Sequence, residues 1–123
     1  MIIGIGIDLC DASRIRDMPG RERFLTRFFT PEERAYFDGR GVACDDSVAA
    51  CYAAKEAFLK ALGTGISEAA LHEVSVLHAD SGAPSLMISG TALRIANERG
   101  VKAMHLSLTH EGGMAAAVVV LEG

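Results

Sequence analysis

The sequence is poor in the residues that cross-link or anchor a chain. Its three cysteines, Cys10, Cys44 and Cys51, are odd in number and show no C-x-x-C spacing. That excludes a disulfide framework and a cysteine zinc site, and it points to a reducing cytoplasm. The longest apolar run, MAAAVVVL at 114–121, is far too short to cross a bilayer, so no membrane partner is expected. The opening MIIGIGID has neither a basic start nor an extended apolar segment and does not read as a secretory signal. No proline-rich, serine-rich or repeated tract is present. A net charge of −4 argues against general affinity for nucleic acid.

What is present is a core. With 123 residues, half of them hydrophobic and 23% charged, the chain reads as one globular domain spanning 1–123. Its basic charge is uneven. Arg14, Arg16, Arg21, Arg23 and Arg27 face only Asp17 and Glu22 between Arg14 and Pro31. Such a stripe is either a solvated helix face or a means of steering one acidic partner.

The hydrophobic pattern outlines the elements. Residues 2–9, IIGIGIDL, alternate strictly. Ile3, Ile5, Ile7 and Leu9 form an apolar face expected to pack, and Gly4, Gly6 and Asp8 form a nearly bare one. Interior glycines weaken a strand unless something approaches its backbone closely. Short helical pieces are expected from Arg14 to Phe29, broken at MPG. Thr30, Pro31 and Glu33 spell a capping box with proline at the first helical position, opening a helix to about Asp38. The longest helix is expected from a cap at Asp46 or Ser47 to Leu62, stopped by Gly63. Strands are expected at 74–79, 85–89, 103–110 and 114–122, with a helix between the second and third of these capped by Thr91. The order fits an α+β fold.

Four places could carry chemistry. Lys55, Glu56 and Lys60 are the only charged residues between Ser47 and Ser67. Glu56 and Lys60 share a helix face, as a surface i, i+4 pair would. The opposite side of the helix is also apolar, however, and charges kept in a largely buried helix need a partner or a ligand. Asp8, at the end of the glycine face, is either a turn residue or a hard-metal ligand. With Glu56 it would suffice for magnesium, which takes one or two carboxylates plus water and phosphate oxygens. Gly63, Thr64 and Gly65 permit close backbone approach, but at the negative end of a helix, which is the wrong end for phosphate. His105, Ser107 and Thr109 line one strand face, either simply wet or available to hydrogen-bond a substrate.

Taken in order, GIGIDLCDASRI, RFFTPEE, AAKEAFLKALGTGI and HLSLTHE followed by AAAVVV resemble the holo-acyl-carrier-protein synthases, the bacterial-type phosphopantetheinyl transferases. The resemblance covers essentially the whole chain. It departs at Cys51–Tyr52, where an arginine or tryptophan with an aromatic is often found. It implies a phosphopantetheinyl transferase fold, with one mainly antiparallel sheet packed around a long helix, and a homotrimer with active sites at subunit interfaces, so that Asp8 and the glycine-ended helix would come from different chains. It also implies transfer of the phosphopantetheine arm of coenzyme A to a serine of apo acyl carrier protein. Mg²⁺ would sit on Asp8 and Glu56, Lys60 beside the pyrophosphate, and Glu56 would be the candidate base. Gly63, Thr64, Gly65, His105 and Ser107 become candidate coenzyme contacts, Lys55 a further phosphate contact, and Arg14, Arg21 and Arg23 a docking stripe for the acidic carrier.

Two rivals account for less. A magnesium nuclease would use the same carboxylates and lysine, but the four-residue helical spacing and the acidic chain do not suit it. A non-catalytic adaptor would use the arginines and leave the Glu56–Lys60 face without a role.

Overall fold

The structure, a computed structural model, describes residues 1–65 and 70–123. Ile66, the last residue of the helix-and-glycine motif, lies outside the described residues. In chain order the elements are β1 (Ile2–Asp11), α1 (Ala12–Arg16), α2 (Arg21–Phe28), α3 (Pro31–Asp38), α4 (Cys44–Leu62), β2 (Val74–His78), β3 (Pro84–Ile88), α5 (Gly90–Glu98), β4 (Ala103–Glu111) and β5 (Met114–Glu122). No helix among the described residues is long and apolar enough to cross a membrane.

The α+β class is as expected, but the sheet is in two pieces. β1, β5 and β4 form one antiparallel sheet in the order β1-β5-β4, and β2 and β3 form a separate hairpin. Between the hairpin and β4 the chain turns through α5, and no ladder joins β3 to β4.

α4 is the axis of the fold. Val48, Ala49, Ala53, Ala54, Ala57 and Phe58 are fully buried, and Leu59 and Leu62 nearly so. A helix apolar on every side belongs inside a domain, and this one is covered by β1, β5, α1 and the hairpin. It begins earlier than the expected cap, because a 3₁₀ turn at Gly41–Ala43 runs directly into Cys44. Gly63 ends it in the left-handed conformation, φ 80°, where glycine pays no steric cost.

β1 reverses the expected assignment of faces. The glycine face is the packed one: a methyl group on Gly6 would lie 1.9 Å from the carbonyl oxygen of Ala57, and one on Gly4 1.9 Å from that of Ala61. The strand backbone therefore rests directly on the α4 backbone, which is the close approach that interior glycines allow. The isoleucine face points outward, with Ile5, Ile7 and Leu9 about 60% exposed (64%, 66% and 59%). Val120, Val118 and Ala116 of β5 stand opposite them in register.

The capping box forms as expected: Thr30 accepts from the Glu33 N–H, and the Glu33 carboxylate accepts from the Thr30 N–H. Glu33 does more than cap. Its side chain is buried and takes the fully buried Lys55 ammonium at 2.6 Å, the Val76 N–H at 2.9 Å and the Cys51 thiol at 2.8 Å. Lys55 also donates to the carbonyls of Leu71 and Val74. It therefore ties α3, α4 and the start of β2 together and is no phosphate contact, which corrects the expectation for that residue. The α5 cap is corrected as well: Glu73, from the 3₁₀ turn before β2, accepts from the Ala92 N–H at 2.9 Å, and Ser89 precedes the helix instead of Thr91.

Candidate active site

The site is built where the glycine face of β1 crosses the last turns of α4. With no side chains at Gly4 and Gly6, the strand lies close enough for Asp8 to reach the Lys60 side chain. The Lys60 ammonium donates to Asp8 Oδ1 and to the Ile7 carbonyl, both at 3.0 Å. Asp8 and Lys60 thus meet within one chain, which corrects the expectation that Asp8 and the helix would come from different subunits.

Glu56, one turn before Lys60, is half-buried. Its carboxyl is pushed above the ordinary carboxylate value, first by burial and then by the Asp8 charge, and is pulled back in part by the Tyr52 hydroxyl and by Lys60. Tyr52 answers in kind: burial and the Glu56 charge push it up to about 12. A desolvated carboxylate beside a second one is a cation site in waiting, because a positive charge relieves both penalties.

Among the described residues, two buried side-chain polar atoms have no hydrogen-bond partner, Glu56 Oε1 and Thr64 Oγ1. Buried unpaired polar atoms are uncommon and call for an explanation. Here both belong to residues singled out by the sequence. The donor set is also the right kind for magnesium, two carboxylates offering only hard oxygen. Among the described residues no cluster of three or more His, Cys, Asp or Glu side chains forms, so the protein alone does not supply a closed cage.

The other sequence candidates separate. Gly63 and Gly65 are exposed beside Thr64 at the end of α4. His105 and Ser107 lie on the outer sheet face, where His105 sits 3.0 Å from Glu122 Oε1, on the opposite side of the sheet from α4. Arg14 and Arg23 are exposed, whereas Arg21 is half-buried and ion-paired to Asp45 at 2.7 Å. Arg14 shares a small recess with Cys10, Met18, Phe24 and Tyr52, which brings one stripe arginine beside the residue that touches Glu56.

Sequence reasoning missed a second recess, of about 170 Å³, whose lining includes Tyr36, Arg40, Ser47, His78 and His110. His78 stacks flat on Tyr36 at 3.8 Å, and the Arg40 guanidinium lies 5.4 Å from the same ring. Burial and the Arg40 charge hold His78 below its ordinary value. The residues come from α3, the loop after it, α4, β2 and β4, too far apart in sequence for any local pattern to join them.

Comparison with known proteins shows the family. The model of the 4'-phosphopantetheinyl transferase superfamily matches residues 4–119. The chain is 44% identical over 123 residues to a holo-[acyl-carrier-protein] synthase of Treponema denticola, covering all of both chains. Among solved structures it resembles the holo-[acyl-carrier-protein] synthase of Neisseria meningitidis, with a TM-score of 0.88 and 32% identity over all of both chains. It also resembles that of Bacillus anthracis in complex with coenzyme A (3',5'-ADP), with a TM-score of 0.81 and 37% identity over 98% of this chain and 96% of that one. The chain belongs to the 4'-phosphopantetheinyl transferase superfamily. Within it, the chain is a member of the holo-[acyl-carrier-protein] synthases, and so an enzyme.

Proposed function

We propose that this chain moves the 4'-phosphopantetheine arm of coenzyme A to a serine of an apo acyl carrier protein, with Mg²⁺ on Asp8 and Glu56, in the service of fatty acid or polyketide synthesis. The observation that carries the reading is the buried, unpartnered Oε1 of Glu56 next to Asp8 and Lys60. The carrier serine Oγ forms a bond to the phosphorus bearing pantetheine. The bond from that phosphorus to the bridging oxygen breaks, and adenosine 3',5'-bisphosphate leaves with the electron pair. A divalent ion at the carboxylates supplies charge neutralisation for the pyrophosphate and the leaving phosphate.

The chain's own residues do the rest. Lys60 offers a mobile point charge for a phosphate oxygen. Glu56 is the residue assigned to accept the serine proton. Thr64, with Gly63 and Gly65 on either side, is assigned to the coenzyme contact. In the recess shared by Arg40, Asp46, His78 and His110, the Arg40 guanidinium is the group suited to its nucleotide phosphate. His105 and Ser107, on the outer sheet face, would reach coenzyme only across an associating copy. Arg14 and Arg23 are free to meet an acidic carrier. Arg21 is already shared with Asp45, so its contribution is smaller.

The exposed strip of Ile5, Ile7 and Leu9 supports association through this face, as a homotrimer. A single transferase domain of residues 1–123, acting in the cytoplasm with its three thiols free, completes the reading. The test is release of adenosine 3',5'-bisphosphate from coenzyme A in the presence of apo carrier and Mg²⁺. Asp8→Asn and Glu56→Gln should each lower kcat by about 10²-fold or more while remaining folded. Wild-type rates in either variant would overturn the assignment.

A further inference from the structure

The Lys60 ammonium is bonded to one of the two Asp8 oxygens that a divalent ion would draw on. It takes Asp8 Oδ1 at 3.0 Å and the adjacent Ile7 carbonyl at 3.0 Å, and hard oxygen donors of this kind are what magnesium selects. It is ion-paired to Asp8 and stands one helical turn beyond Glu56 on α4. We infer that Lys60 is an exchangeable resident cation of the carboxylate site, displaced from Asp8 when a divalent ion binds and thereby released to a substrate phosphate, so that metal and coenzyme binding are coupled through one side chain. This deepens the reading above and rests on it.

The physical requirements are met on both sides of the exchange. The Asp8 side chain is only 18% exposed, so it stays put, whereas that of Lys60 is 54% exposed and lies at the end of a flexible four-carbon stem. A half-exposed ion pair is weak enough to give way to a doubly charged ion. A divalent ion on Oδ1 repels an ammonium only one hydrogen bond away, and a phosphate oxygen offers that ammonium a new partner. Conversely, an anion that draws Lys60 away uncovers Asp8. Linkage makes the two effects equal in size: the factor by which coenzyme tightens metal binding is the factor by which metal tightens coenzyme binding. A lysine that kept its place on Asp8 would repel the ion to the same degree with or without coenzyme, so the loss of metal–coenzyme coupling in Lys60→Gln is what reports the exchange.

The distinguishing experiment is Mn²⁺ binding, followed by the loss of the free-ion electron paramagnetic resonance signal, with and without coenzyme A and with no carrier present. The proteins are wild type, Lys60→Gln and Asp8→Asn. Without coenzyme, Lys60→Gln should bind Mn²⁺ about threefold more tightly than wild type, the size expected for removing a half-exposed competing pair. The tightening produced by coenzyme should be smaller in Lys60→Gln than in wild type. If Lys60→Gln binds Mn²⁺ no more tightly than wild type while Asp8→Asn abolishes binding, the exchange is wrong and the metal assignment stands. If Asp8→Asn binds as wild type does, the metal assignment fails and the exchange fails with it.

Discussion

At the scale of single residues, neighbours on α4 meet opposite surroundings. Lys55 points into the interior, where Glu33 and two carbonyls take its three donors. Glu56 points toward Asp8 with one oxygen unpaired. Removing one partner of a buried ion pair strands the other charge, so Lys55→Met should lower unfolding stability by about 3–5 kcal/mol. Denaturant melts would read this, and a change below 1 kcal/mol would contradict the tie. His78 gives a pH signature. The folded chain holds it below its ordinary 6.5 by burial and by Arg40. Between the lowered value and 6.5 the unfolded chain binds more protons, so stability falls as pH drops through that window. His78→Gln should therefore lose less stability than wild type between about pH 7 and pH 5. An equal loss in both proteins would remove His78 from the account.

At the scale of elements, the β1–α4 crossing decides the geometry. Gly6→Val would drive a side chain into the Ala57 carbonyl, and it should cost upwards of about 1–3 kcal/mol and separate Asp8 from Lys60. Thermal melts together with activity would show both losses, and an unchanged melting temperature would mean that the strand does not rest on the helix as described. This crossing also shows what was legible beforehand. Alternation in IIGIGIDL revealed two unlike faces, but period-two patterning cannot say which face meets the core. Large apolar residues favoured the wrong one, because backbone contact through glycine leaves no hydrophobic signal. The Thr30–Glu33 capping box was readable, since its partners are three residues apart. The same Glu33 carboxylate's bonds to Lys55 and Val76 were not, since they span 22 and 43 residues. Scarcity of charge in apolar surroundings marks Glu56 and Lys60, and the end of the glycine face marks Asp8; the residues alone do not bring them together, and the Asp8–Lys60 contact is visible only in the fold.

At the scale of the whole molecule, the outward Ile5, Ile7 and Leu9 and the facing β5 residues make the β1–β5 part of the outer sheet face apolar, beside the polar His105 and Ser107 of β4. Ile5 lies away from the Asp8 end of the strand and is well exposed. Ile5→Glu should therefore leave the single chain folded while shifting sedimentation toward the monomer. A wild-type chain that sediments as a monomer at all concentrations would contradict association through this face. The central claim concerns covalent transfer, and its most direct measurement is the intact mass of an apo acyl carrier protein incubated with this chain, coenzyme A and Mg²⁺. The account predicts a gain of about 340 Da, the mass of the phosphopantetheine arm of a group-carrier cofactor, that disappears with Glu56→Gln or with chelation of the metal. No gain with any carrier, or full gain with the metal removed, would contradict it.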